Sequence, residues 1–333
     1  MLGGPTDGQN TSEKGTLQAN VQNSFSVTAE NGIGMAALRD TSSAGITAGS
    51  FSITAGKDGL QADIGSLAVS AAGTGGIFID AGERGIYTNG STTQNAEAYG
   101  GHVDLTAQNG NVAVYANGSA IEALTNSSVK LTSKKNNIVL TSQNTDADRA
   151  AVYAEGNREY RGLVAYKPTV DLTAENGTVC VTTNGTGVWA SGKGSTININ
   201  GALNINSNYT GGDTGISLMS DDERHVAISA GGMNSSDSLL YKAYGEVNVN
   251  LKGTQDSQII GDIVGARDGV VNVNSADYSG ILTVYGDILA GNGGTRQDSD
   301  GNKINVGAVN IDLGKGGYFE GLSLIHISEP TRP

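Results

Sequence analysis

Three nearly identical eight-residue segments recur along the chain and constrain its fold more than any other feature. Residues 25–32 read FSVTAENG, residues 103–110 read VDLTAQNG and residues 170–177 read VDLTAENG. In each copy the apolar residues alternate with polar ones, which is the period of a strand with one buried face. The Asn–Gly pair that ends each copy predicts a turn, because both residues adopt positive φ at little cost.

Looser copies of this unit continue along the chain at intervals of roughly one or two units of about 20–26 residues, as in stacked structural repeats. They begin at Phe51, Val129, Val226, Val247, Val271 and Val309. We therefore predict an all-β solenoid, a single elongated stack of about 14 coils with variable loops. Parallel strands spaced at about 4.8 Å would make such a stack about 70 Å long.

A second motif accompanies the first and ends in Gly after an aromatic residue. It reads GIYTNG at 85–90, AVYANG at 113–118, AVYAEG at 151–156 and GVWASG at 187–192. If the β-branched residue before each ring points inward, alternation points the ring outward. The predicted stripe, a candidate binding surface for sugars or a host surface, consists of Tyr87, Tyr115, Tyr153 and Trp189. The alternative is that the rings only stabilise neighbouring coils, by about 0.5–1.5 kcal/mol per pair.

The composition suits a thin core better than a thick one. Gly supplies 50 of the 333 residues, hydrophobic residues make up 37% and aromatic residues 5%. The regular Val, Ile and Leu alternation argues against the alternative of a disordered low-complexity chain. The net charge is −13, without a basic cluster, so the sequence predicts no nucleic-acid partner.

The two ends differ from the repeats and divide the chain into three predicted parts. Residues 1–20 form an irregular N-terminal segment, and residues 21–321 carry the repeats. Residues 322–333 read LSLIHISEPTRP, which resembles the translation of a sequencing adapter. We therefore expect a non-native tail on a fragment of a longer protein. No apolar run reaches the ~18 residues of a membrane span.

The Gly-, Asn- and Thr-rich repeats resemble the passenger region of bacterial autotransporters. The resemblance rests on pattern over residues 20–321, including GDI followed by a Gly-rich turn in 257–274 and 282–294, and GAVNIDLGKGGYFEG at 307–321. It implies a right-handed parallel β-helix and export through a C-terminal barrel translocator downstream of this sequence. It also implies display at the cell surface, anchored at the bacterial outer membrane. Proteins of the two-partner secretion type have similar repeats and remain an alternative.

The sequence predicts no catalytic residue, no metal site and no cofactor. His102 and His225 each open a strand, and the acidic segment before His225 (Asp221, Asp222, Glu223) is interpreted as a solvated loop. Asp298, Asp300 and Asn302 fail the spacing of a calcium loop, so we expect a polar turn there. Cys180 is interpreted as a small strand residue.

The leading hypothesis is a non-enzymatic adhesin or structural stalk whose partners are a host surface, a host matrix or other bacterial cells. Inserted loops would vary one side of the scaffold, and loops on rigid scaffolds often carry binding. The alternative is a β-helical polysaccharide lyase or glycoside hydrolase that uses Asp221 and Asp222. The predicted loops span 91–101, 144–150, 157–167, 208–224 and 233–244.

Overall fold

The computed structural model is all-β, as the sequence predicts, and its strands form two parallel sheets. Within the described residues the larger sheet has 16 strands and the smaller has ten. The structure describes residues 15–39, 42–90, 100–144, 149–156, 166–207, 226–231, 244–291, 307–314, 318–321 and 325–327.

The bounds of the strands follow in chain order for each sheet. The larger sheet contains β1 (Thr16–Ala29), β3 (Ser43–Ala55), β5 (Ser66–Ala71), β6 (Ile77–Ala81), β8 (His102–Ala107), β9 (Val112–Ala116), β11 (Ser128–Ser133), β12 (Ile138–Ser142), β14 (Thr169–Thr183), β16 (Thr196–Ser207), β18 (Glu246–Gly253), β19 (Ser257–Ile260), β21 (Val270–Tyr278), β22 (Ile281–Tyr285), β24 (Ala308–Asp312) and β25 (Tyr318–Gly321). The smaller sheet contains β2 (Met35–Ala37), β4 (Leu60–Asp63), β7 (Ile86–Asn89), β10 (Ile121–Leu124), β13 (Ala150–Glu155), β15 (Thr186–Ser191), β17 (Val226–Ala230), β20 (Asp262–Ala266), β23 (Ile288–Gly291) and β26 (Ile325–Ile327).

The larger sheet branches, because its long strands pair with different neighbours along their length. The first half of β3 pairs with β5 and its second half with β6, and β14 divides between β11 and β12 in the same way. We call the row that contains β5, β8, β11, β18, β21 and β24 the first ladder. The row that contains β6, β9, β12, β19, β22 and β25 is the second ladder.

These two sheets correct the predicted fold class. We predicted a single-stack right-handed parallel β-helix, and that architecture is wrong, because the strands divide between two sheets and the larger sheet branches. The smaller sheet has ten strands in linear order, so its nine spacings of ~4.8 Å cover about 43 Å, less than the predicted length.

The source of the error is that copies of one motif lie in different rows. The copy at 25–32 begins on β1, where Phe25 pairs with Phe51 of the second ladder's row. Val103, Val129 and Val170 instead pair with one another in the first ladder. Alternation reports only that a strand has one buried face, so the motif does not specify which row of the sheet the strand joins.

One of the three Asn–Gly pairs differs from its predicted role. Asn31–Gly32 lies in a turn as predicted, where the Gly32 N–H donates to the Ala29 carbonyl at 3.2 Å, but Asn176–Gly177 does not. β14 runs without interruption from Thr169 to Thr183, and Gly177 is not among the residues with positive φ. A Cβ on Gly177 would collide with the Asn136 carbonyl oxygen, so Gly permits close approach of two chain segments. The amide of Asn176 donates to the Lys134 carbonyl at 2.7 Å, which connects successive repeats.

The main hydrophobic core contains the inward residues of both sheets. Leu60 and Ile86 of the smaller sheet and Ile53 and Ile79 of the larger sheet are fully buried in one cluster. The apolar residues of the motif at 170–177 are also buried there. Each strand therefore buries its apolar side against its neighbours, which small and β-branched residues can fill.

Outward amides of the first ladder form a directional hydrogen-bonded column. Asn198 donates to the Asp171 carboxylate at 2.7 Å, Asn248 to Asn198 at 3.1 Å, and Asn272 to Asn248 at 2.9 Å. Asn310 extends the column by donating to Asn272 at 2.9 Å. These side chains use their hydrogen-bonding groups to bind one another from strand to strand, and the bonds hold the register of the strands.

Candidate functional site

The outer face of the smaller sheet carries the most concentrated chemistry in the described part of the chain. Backbone pairing places one outward side chain from each strand in a continuous row. We call this the outer row, and its members from β4 to β17 are Gln61, Tyr87, Glu122, Tyr153, Trp189 and Ser229.

The N-terminal half of the outer row contacts an ionic network, of which Glu122 is a member. Arg84 binds Asp58 through two hydrogen bonds of 2.8 Å, and its third nitrogen lies 3.8 Å from the Glu122 carboxylate. Arg149 donates to the other oxygen of Glu122 at 2.9 Å. The Arg84 guanidinium also lies 3.6 Å from the centroid of the Tyr87 ring. Charges of alternating sign therefore run from Asp58 to Arg149, and a cation–π contact joins Tyr87 to them.

Burial sets the protonation behaviour of this network. Asp58 and Glu122 are 3% and 4% exposed. Burial raises the pKa of Glu122 above its usual 4.5, although Arg149 and Arg84 oppose the shift. Burial would lower the pKa of Arg84, but its bonds to Asp58 raise it on balance, so Arg84 stays protonated.

Asp63 extends the network at the edge of the outer row. Gln61 donates to one carboxylate oxygen of Asp63 at 2.6 Å, and the other oxygen is buried without a hydrogen-bond partner. Burial raises the pKa of Asp63, because it disfavours the charged carboxylate. The protonated form of this carboxyl is thus favoured relative to an ordinary Asp.

The C-terminal half of the outer row is aromatic and apolar. The rings of Tyr153 and Trp189 lie 5.1 Å apart and are tilted by 45°. The Tyr153 hydroxyl donates to Glu155 at 3.0 Å and lies 3.2 Å from the Ser191 hydroxyl. Both rings belong to a second hydrophobic cluster on the outer side of the sheet, together with Val264 and Leu289.

The indole of Trp189 is held by the strand that follows in the sheet. Its Nε1 donates to the Gly231 carbonyl at 2.7 Å, and the side chain is 1% exposed. Burial raises the pKa of Tyr153 well above its usual 10, which keeps its hydroxyl a donor. The side chains in this half of the outer row are therefore packed as in a protein interior.

The structure places the four rings of the predicted stripe in two different rows. Tyr87, Tyr153 and Trp189 lie in the outer row, with Glu122 between Tyr87 and Tyr153. Tyr115 lies on β9 of the second ladder, where it is 37% exposed and its ring is 5.5 Å from that of Phe78. Tyr153 and Trp189 point away from the main core but are buried.

The other sequence candidates are dispersed. His102 opens β8, and its Nδ1 lies 2.8 Å from the Ser128 hydroxyl. Cys180 is half-buried on β14. Two groups lie outside the described residues: the acidic segment with His225, which is 221–225, and the predicted polar turn at 298–302.

The ionic network was missed at the sequence level. Asp58, Arg84 and Glu122 are 26 and 38 residues apart in the printed numbering, and none forms a recognisable motif. A charged residue at an outward strand position normally indicates solvent exposure. The available signal was the repeated spacing, because Asp58 and Arg84 are separated by one repeat of 26 residues.

Comparisons with known proteins leave the chain without an identified relative. No family model, no curated protein and no solved structure matches it. Among the residues that the structure describes, no group of three or more His, Cys, Asp or Glu side chains could hold a metal ion. In that same part of the chain, no helix is long and apolar enough to cross a membrane.

Proposed function

We propose that this chain is a non-enzymatic, surface-displayed segment of an autotransporter-like protein, acting as an adhesin or a structural stalk. The observation that carries the proposal is the amide column of the first ladder, from Asp171 to Asn310. Amides that bind one another strand after strand reinforce a scaffold of paired parallel strands.

The ionic network supports the same proposal. The carboxylates of Asp58 and Glu122 accept hydrogen bonds from Arg84 and Arg149, so these buried charges stabilise one another. In a scaffold, paired charges of this kind fix the register between strands. The Gly-, Asn- and Thr-rich sequence resemblance supplies the link to surface display.

The proposal is tested by displaying the full chain on a laboratory bacterium. The chain is fused upstream of an autotransporter barrel, and surface exposure is measured by protease release from intact cells. We expect the chain to reach the surface and to retain cells on host matrix or epithelial cells if it is an adhesin. A stalk would reach the surface without retaining cells.

The control is the same barrel without the chain. Failure of the chain to reach the surface while the control barrel inserts would contradict the proposal. Release of shortened sugar chains from polysaccharides by the purified protein would contradict its non-enzymatic part.

A further inference from the structure

The second ladder presents an outward face that differs from the rest of the molecule in charge. We call the outward side chains of β6, β9, β12, β19, β22 and the second halves of β14 and β16 the low-charge face. Alternating burial along these strands places their other side chains in the core. Asp80 is the one charged residue among these outward positions of the described strands.

By contrast, the outward positions of the neighbouring first ladder include several charged residues. Asp104, Lys130 and Asp171 occupy one row on adjacent strands there. The chain as a whole carries a net charge of −13. Covering a surface with a ligand costs less free energy where there are few charges to desolvate, so the low-charge face is better suited to binding than its charged neighbour.

We define one row of the low-charge face as the segment between two exposed tyrosine rings, with hydrogen-bonding groups between them; Asp80 of β6 pairs with Tyr115 just outside this segment. Backbone pairing runs from Tyr115 through Thr141, Thr182 and Asn206, and then through Ile260 to the final residue of the row. That final residue, Tyr285 on β22, is 43% exposed. Five strand spacings separate the two rings, which is about 24 Å.

The order of these groups decides which ligand fits. A protein–protein interface has an apolar centre and a polar rim. Between the two rings this row instead carries mostly polar groups, the hydroxyls of Thr141 and Thr182 and the amide of Asn206, with Ile260 as the one apolar residue. Nucleic acids and anionic membranes require a basic surface, which this face lacks. A neutral polymer that offers hydroxyls along its length and apolar ring faces matches the row. Exposed tyrosine rings suit such a ligand because they combine an apolar face with a polar tip.

We propose that the low-charge face binds a neutral, linear polysaccharide, with Tyr115 and Tyr285 packing against sugar rings at the two ends of the row. Phe78 adds a third exposed ring beside Tyr115, at 41% exposure. The hydroxyls of Thr141 and Thr182 exchange hydrogen bonds with the sugar hydroxyls between the rings. This inference deepens the adhesive form of the proposed function and rests on it.

The experiment titrates the purified full chain with cellulose, xylan, mannan and starch oligosaccharides of increasing length. We expect affinity to rise with length and to level off once the ligand covers about 24 Å. Tyr115→Ala and Tyr285→Ala should each weaken binding about fivefold, the equivalent of losing one ring contact. The matched control is Lys130→Ala, an exposed outward residue of the first ladder that should leave binding unchanged.

Circular dichroism and thermal melting confirm that each variant is folded before it is titrated. The inference is overturned if no neutral polysaccharide binds, or if the double variant of Tyr115 and Tyr285 binds as tightly as the wild type. Sedimentation that shows a dimer abolished by the Tyr variants would assign the face to a second copy and would also overturn it. Binding to heparin alone would do the same.

The display assay separates this inference from the proposed function. If displayed cells adhere while the purified chain binds no neutral polysaccharide, only the low-charge face has been misassigned. If the chain never reaches the surface, the proposed function itself fails, whatever the titrations show.

Discussion

The two halves of the outer row occupy equivalent positions on one sheet, but their buried side chains are stabilised by different interactions. Around Tyr87 and Glu122 the buried groups are charges that pair with Arg84 and Arg149. Around Tyr153 and Trp189 the buried groups are rings in an apolar cluster. Strand register therefore sets where a side chain lies, while its neighbours decide whether that position is stabilised by ion pairs or by packing.

The largest effect is expected in the aromatic half. Trp189→Ala should lower the free energy of unfolding by about 3–5 kcal/mol, because it removes a fully buried indole and leaves a cavity. Chemical denaturation measures the change. Trp189→Phe keeps most of the packing but loses the hydrogen bond to Gly231, so its cost should be about 1–2 kcal/mol. Equal costs for the two variants would contradict this ranking.

In the ionic half, removal of one charge should lower the free energy of unfolding by more than the partial exposure of the removed side chain suggests. Arg84→Met leaves the 3% exposed Asp58 without its two-bond partner and should cost about 2–4 kcal/mol. The Arg84 side chain is 23% exposed, so solvent screens part of the loss.

The control for this variant is Arg149→Met. The Arg149 side chain is 47% exposed, and its loss leaves the pair of Asp58 and Arg84 intact. The buried Glu122 carboxylate loses one donor but keeps a cationic neighbour, since Arg84 lies 3.8 Å from its other oxygen. We expect a cost below about 1 kcal/mol by the same denaturation measurement. If both variants lower the free energy of unfolding equally, the contribution of an arginine to the network does not depend on how buried its side chain is.

A smaller effect should follow from the hydroxyl at the centre of the aromatic half. Tyr153→Phe removes the hydrogen bond to Glu155 and the contact with Ser191 while it preserves the ring. We expect a loss of about 1–2 kcal/mol in unfolding free energy, since a buried acceptor loses its donor. A neutral result would show that packing alone holds this half.

The smallest expected effect is a pH dependence confined to the ionic half. Because burial raises the pKa of Glu122 in the folded state, its stabilising contribution is fully present below the unfolded value near 4.5 and is lost as pH rises through the folded value. Glu122 faces Arg149, Arg84, Glu155 and Asp58, which modulate the shift.

The measurement compares wild type with Glu122→Gln by denaturation between about pH 4 and about pH 8. The stability of the wild type relative to the variant should decline as pH rises above 4.5. Asp63 titrates in the same direction but is present in both proteins, so the difference isolates Glu122. A relative stability that increases with pH would reverse the assigned direction.

The strand class of the fold could be predicted because alternation is local. Val170 and Leu172 are buried as the pattern requires. The row that each strand joins could not be predicted, since Phe25 and Val103 follow one pattern yet lie in different rows of one sheet. Tyr115 was grouped with the other three rings for the same reason.

Local pattern alone establishes that strands of the larger sheet alternate in burial, that strands recur at repeat spacing, and that rings such as Tyr87 and Trp189 point away from the main core. Strand pairing in three dimensions sets which strands are neighbours and which outward positions, such as those of β13 and β15, are buried. The physical reason is range: alternation follows from the geometry of one strand, whereas the meeting of Arg84 with Asp58 and Glu122 depends on backbone pairing across 26 and 38 residues.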